Sequence, residues 1–214
     1  MNPPVVDSLP GGITKVIHRI WLGPVEPPDF VGFGERWAEL HQGWRVITWR
    51  DWSVPSLVNQ TLFDDASGPA HRADILRLEL LRRYGGVYVD TDMEPLRPLD
   101  ELLAHDQCAF GREDDRWVGT GIVAATRGHP FIEHLCRAMT DRKAAMRSAP
   151  PNESLGPKWI TYELGRGAPG SETVTVYPPQ VFYPYHFTEL HRRNERFDDA
   201  YAVHHWAHSW TDAL

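Results

Sequence analysis

The chain has 214 residues, 42% of them hydrophobic, and carries 22 Lys and Arg against 29 Asp and Glu, for a formal net charge of −7. That length suits a single domain, 1–214, with a substantial core, and the negative field repels a polyphosphate chain, which argues against nucleic acid as a partner. Two cysteines, Cys108 and Cys136, without CxxC spacing exclude a disulfide framework and a structural zinc site, and no apolar run reaches the ~18 residues of a membrane span.

A Pro/Gly-rich lead to Gly12 precedes Lys15–Leu22, which reads as a largely buried strand closed by Gly23-Pro24. A short helix over Val31–His41 and a second strand over Trp44–Trp49 then predict a parallel crossover. From Pro69 to Tyr84, Ile75, Leu78 and Leu81 with Leu76, Leu80 and Tyr84 form a broad apolar helix face, Ser67 being the candidate N-cap. Gly85-Gly86 stops this helix, and Val87–Asp90 resumes as a strand whose valines face opposite to Tyr88 and Asp90. Beyond Pro98 the expected elements are a short helix near Leu99–Ala104, strands at Ala109-Phe110 and Gly121–Ala125, and a helix from Pro130 to about Met146. The prolines 150 and 151 break that helix. A helix at Trp159–Leu164, a strand at Thr173–Tyr177 and a last extended stretch at Ala202–Trp206 complete the chain.

Asp90 and Asp92 stand one residue apart just past an apolar strand, so an extended backbone points both carboxylates to one side. Side by side they repel unless a cation lies between them. A divalent ion such as Mn²⁺ or Mg²⁺ takes oxygen ligands and neutralises a diphosphate. An Asp-rich turn bonded to backbone N–H groups is the other account of the same two residues.

The run Ala73–Asp92, with its helix, double glycine and acidic strand end, resembles the DxD glycosyltransferases of the capsular-polysaccharide and yeast-mannosyltransferase type (glycosyltransferase family 32-like) and the core of the large clostridial glucosylating toxins. The resemblance extends to Val16–Gly23, Gly156-Pro157 and Ala202–Trp210. It implies an α/β fold of the GT-A kind, with a mixed, mainly parallel central sheet flanked by helices. It further implies a metal-dependent, retaining hexosyltransferase with a nucleotide-sugar donor, UDP-sugar favoured and GDP-sugar second, acting in polysaccharide biosynthesis on a glycan or small-molecule hydroxyl. The alternatives are a toxin-like transferase with a protein acceptor and a catalytically silent sugar-nucleotide binder. The absence of a leader pattern adds the expectation of a cytoplasmic protein, touching membrane only peripherally.

Carried over position by position, the resemblance implies that Asp90 meets the donor sugar and ribose and that Asp92 binds the metal. Asp74 and Arg77 would hold the donor sugar, although an i,i+3 ion pair also explains them. Trp21 would pack on the base, and Ser209 and Trp210 would close on the β-phosphate. His204 would be the late metal ligand, with His205 competing for that place, since in an extended segment only one of the two faces the metal. Thr120-Gly121 departs from the Asn-Gly often found in relatives. Glu113, Asp114 and Asp115 would either shape the acceptor pocket or form an exposed acidic loop.

Overall fold

The structure, a computed structural model, describes residues 7–207. In chain order its elements are β1 (Val16–Ile20), α1 (Pro28–Leu40), β2 (Arg45–Trp49), α2 (Gln60–Asp64), α3 (Pro69–Tyr84), β3 (Gly86–Val89), β4 (Met93–Pro95), β5 (Cys108–Arg112) and β6 (Val118–Ala125). There follow α4 (Pro130–Ala138), α5 (Lys143–Ser148), α6 (Pro151–Ser154), α7 (Pro157–Gly165), β7 (Val174–Tyr177), α8 (Pro179–Phe182) and β8 (Ala202–His204). Six strands form one sheet in the order β2-β1-β3-β6-β5-β7, and β4 pairs with β8 in a separate ribbon.

Only β6 runs against the others, pairing antiparallel with β3 and β5, while β1 lies parallel to β2 and β3, and β5 parallel to β7. The sheet is therefore mixed and mainly parallel, with helices on both faces, and its inner strands β1, β3, β6 and β5 are buried on both sides while the edge strands β2 and β7 are only partly covered. Val87 and Val89 pack with Ile17, Trp37 and Ile122 on one face. Tyr88 and Val123 pack with Ile75 and Leu78 of α3 and Phe131 of α4 on the other.

The turn from α3 into β3 explains the double glycine. Gly85 and Gly86 take φ of 66° and 100°, and a Cβ on Gly86 would stand 2.4 Å from the Val16 carbonyl oxygen, so no side chain fits between β3 and β1. His18 secures the same turn from β1. Its ring accepts from Trp49 Nε1 at Nδ1, 3.1 Å, and donates from Nε2 to the Gly85 carbonyl, 2.9 Å. Accepting at Nδ1 needs the neutral ring, and burial lowers its pKa to about 4.

Four local expectations change. The N-cap of α3 is Gly68, followed by Pro69 in the first turn, while Ser67 Oγ bonds to His71 Nδ1. Residues 99–105 form turns, with a single Leu103 N–H to Leu99 carbonyl bond of helical type, and no helix. The helix from Pro130 breaks at Met139 into a 3₁₀ stretch over Met139–Arg142 before α5. The last strand ends at His204, because Trp206 turns to a positive φ of 53°.

Candidate active site

The C-terminal ends of β1, β3 and β5 and the start of β6 share one edge of the sheet, where a cavity of about 410 Å³ opens. Such an edge is where open α/β sheets bind their ligands, since loops leave the strands there. Trp21, Asp74, Arg77, Asp90, Asp92 and His204 all line it. The structure thus brings together six of the eight residues singled out from sequence; Ser209 and Trp210 lie outside the described residues.

The ribbon supplies the central group. Met93 of β4 pairs with His204 of β8, so His204 meets the Asp90–Asp92 turn that precedes β4. Its Nε2 lies 3.2 Å from Asp92 Oδ1 and 3.5 Å from Asp90 Oδ2, and one ligand atom from each residue falls within 4.8 Å of the others. His205, one residue on, turns away to Glu94, 2.9 Å, and stacks on Phe33. The alternation of an extended segment therefore puts His204, and not His205, beside the acidic pair.

Electrostatics favour a cation at this group. Burial alone would lower His204, yet the Asp92 and Asp90 carboxylates outweigh it and raise the ring to about 10. Burial pulls Asp92 upward, but His204 and the Ala207 N–H hold it down at about 2. Two carboxylates thus hold a positive charge on the imidazole, and a divalent ion would replace that proton. Spacing agrees, because ligands at right angles on an ion with bonds of about 2.1 Å lie about 3 Å apart. Mixed carboxylate and imidazole donors suit Mn²⁺ and related first-row ions, whereas Mg²⁺ would rest on the two carboxylates.

Each acid has its own support. Tyr88 donates to Asp90 Oδ1 at 2.5 Å while its ring lies under the Arg77 guanidinium, 4.7 Å from the centroid. Arg77 reaches the Thr120 carbonyl at 2.6 Å and Asp74 Oδ1 at 2.5 Å, with Asp90 at 3.9 Å. The two residues on α3 are indeed an i,i+3 pair, but a buried one, 4% and 8% exposed, facing the cavity and not solvent. Burial raises Asp74 against the pull of Arg77. Asp74 Oδ2, Trp21 Nε1 and His204 Nδ1 are buried without a hydrogen-bond partner among the described residues. Buried polar atoms are normally satisfied, so these three, all on residues that line the cavity, are open to a ligand.

Two contributors carry no signal in the sequence. Arg19 sits inside the apolar run of β1, 2% exposed, and donates to Glu26 Oε1, the Phe30 carbonyl, Thr48 Oγ1 and the Thr91 carbonyl. It fixes the residue between Asp90 and Asp92 to the sheet. Gly34 on α1 makes room for it, since a Cβ there would lie 2.1 Å from Arg19 Nη1. Tyr183 is the second: its hydroxyl accepts from the Gly121 N–H at 3.0 Å under the cavity floor. The acidic run also divides. Asp115 is exposed and Asp114 caps a turn through the Arg116 and Trp117 N–H groups, whereas Glu113 lines the cavity.

With this geometry in place, residues 27–109 match the family model described as a glycosyltransferase sugar-binding region containing a DXD motif. Over that segment the chain resembles the DXD-motif glycosyltransferases. It is 27% identical to inositol phosphoceramide mannosyltransferase 3 of Schizosaccharomyces pombe over 96% of its own length and 63% of the relative's. A mannosyl phosphorylinositol ceramide synthase of Saccharomyces cerevisiae is 28% identical over 67% of this chain and 41% of that protein. The chain therefore spans less than two thirds of these curated relatives. Among solved structures, the PaToxG glycosyltransferase superposes with a TM-score of 0.58 at 16% identity, covering 72% of this chain and 69% of that one. The fold is GT-A-like. Among the described residues, no helix is long and apolar enough to cross a membrane.

Proposed function

We propose that the chain transfers a hexose from a nucleotide sugar to a hydroxyl acceptor, with a divalent cation held by Asp90, Asp92 and His204. The observation that carries this reading is the group of three ligands within 4.8 Å at the sheet edge, in the same cavity as the buried, half-satisfied Asp74. The cation would neutralise the departing diphosphate.

The chain's own residues do the rest. Trp21 offers an indole face to the base at the β1 end of the cavity, and its buried Nε1 has no acceptor among the described residues and so a proton to donate. Asp74 Oδ2 accepts from a sugar hydroxyl while Arg77, bonded to Oδ1, holds the carboxyl in place. Ser209 and Trp210 donate to phosphate oxygens. Among the described residues lining the cavity we assign no protein nucleophile, and retention at the anomeric carbon, with the acceptor entering on the face the diphosphate leaves, is part of the same proposal.

The relatives' names point to a mannosyl donor and to a phosphoinositol-bearing lipid as acceptor, so GDP-mannose joins UDP-glucose and UDP-N-acetylglucosamine in the test. Nucleoside diphosphate release from each donor is measured with Mn²⁺ and with EDTA. Metal-dependent release from one donor supports the reading, and the anomeric configuration of the product, read by NMR, tests retention. Binding without release from any donor would replace the transferase with a silent binder.

A further inference from the structure

Strand order lays the cavity out as a line. Along the sheet edge come Trp21 after β1, Asp90 after β3, Thr120-Gly121 at the start of β6 and Glu113 after β5. Neighbouring strands stand about 4.8 Å apart, so β5 lies about 14 Å from β1. A nucleotide sugar with its base at Trp21 and its diphosphate at the cation group runs along this edge toward β5. Asp74 and Arg77 reach the middle of the line from α3. Glu113 stands at the far end, beyond them.

Glu113 is built into that place. Its N–H donates to the Trp117 carbonyl at 2.9 Å, and the Asp114 turn fixes the next residues. Gly119 leaves it room, because a Cβ there would stand 2.8 Å from Glu113 Cγ and 2.6 Å from Tyr183 Oη. Gly121 keeps the floor between Glu113 and the cation group open, since a Cβ there would lie 3.0 Å from Asp90 Oδ2 and 3.4 Å from His204 Cδ2. Among the described residues the Glu113 carboxylate makes no hydrogen bond or ion pair. A half-buried carboxyl with no partner among the described residues, facing a ligand cavity, is open to a hydrogen bond from a ligand that displaces water there.

We infer that Glu113 accepts a hydrogen bond from the acceptor molecule's hydroxyl and so selects polyol acceptors over water at the β5 end of the cavity. The inference rests on the transferase reading and adds the acceptor subsite to it. Contact with the donor sugar is the competing role, and the two differ in which affinity Glu113 controls.

The experiment uses the full chain with Mn²⁺, the donor from the panel above that is cleaved fastest, and four acceptors: glycerol, myo-inositol, methyl α-glucoside and methyl α-mannoside. Glu113→Gln keeps the shape and removes the charge. The expected result is an acceptor KM at least tenfold higher, with affinity for the nucleoside diphosphate and for the intact donor within twofold, and partial recovery of acceptor KM in Glu113→Asp. Should Glu113→Gln fail to fold, Glu113→Asp carries the test, with a raised acceptor KM and unchanged donor affinity expected. An unchanged acceptor KM overturns the inference, as does an equal loss of donor and acceptor affinity. If the unmodified protein releases nucleoside diphosphate yet glycosylates none of the four polyols, the inference falls and the transferase reading stands. Absence of release from every donor defeats both.

Discussion

Replacing Asp74 by Asn separates a sugar contact from a structural ion pair, because its two oxygens have different partners. Oδ1 pairs with Arg77 at 2.5 Å and Oδ2 is buried with no partner among the described residues. Removing one member of a buried pair costs ~3–5 kcal/mol when nothing replaces it. The amide still accepts from Arg77, and Asp90 remains 3.9 Å from that guanidinium, so the structural cost is closer to ~1–2 kcal/mol. For a chain of this size that lowers Tm by roughly 2–8 °C. On the ligand side, a hydrogen bond to a charged group contributes ~1.5–3 kcal/mol, and an amide recovers part of it. The intact sugar nucleotide should therefore bind about tenfold or more weakly, while the bare nucleoside diphosphate, which lacks the sugar hydroxyls, binds within twofold. Calorimetric titration of both ligands with Mn²⁺, beside a melt of the variant, makes the comparison. Equal losses for the two ligands in a folded variant would refute the sugar contact and leave only the ion pair.

Three further outcomes follow from the packing. His18 has a folded pKa of about 4 against 6.5 unfolded, so between those values the unfolded chain binds more protons and stability falls as pH falls. The loss begins near pH 6.5 and approaches ~3 kcal/mol by pH 4; urea unfolding across that range should show it, and His18→Gln should flatten the slope. In α1, Gly34→Ala ought to gain up to ~1 kcal/mol of helix propensity, but its Cβ displaces an Arg19 pinned by four hydrogen bonds. Overpacking of ~1–3 kcal/mol should lower the melting temperature and weaken Mn²⁺ binding through Thr91; a more stable variant would show that Arg19 yields freely. Because His205 faces Glu94 and not the acidic pair, His205→Gln should keep Mn²⁺ affinity within twofold where His204→Gln loses at least tenfold, as read by titration; the reverse order would contradict the assignment.

The α3–β3 unit was legible because its signals agree. Six apolar residues at helical spacing, two glycines and an apolar strand ending in Asp90 admit one local arrangement, and the structure has it. The ribbon was not. β4 is three residues long and its partner β8 lies more than a hundred residues away, so no periodicity announces it, although it is what carries His204 to Asp90 and Asp92. Arg19 was hidden for a related reason, since its role depends on Glu26, Phe30 and Thr91 arriving from three separate segments. The α4 break at Met139 has no proline or glycine to mark it. Glu113 read as one of three acids in a loop, and only the antiparallel β5–β6 register turns it toward the cavity.

The cation at Asp90, Asp92 and His204 is the central claim, and calorimetric titration of nucleoside diphosphate into the protein, once with Mn²⁺ and once with EDTA, tests it most directly. Affinity at least tenfold lower in EDTA is the predicted result; equal affinity under both conditions would contradict it.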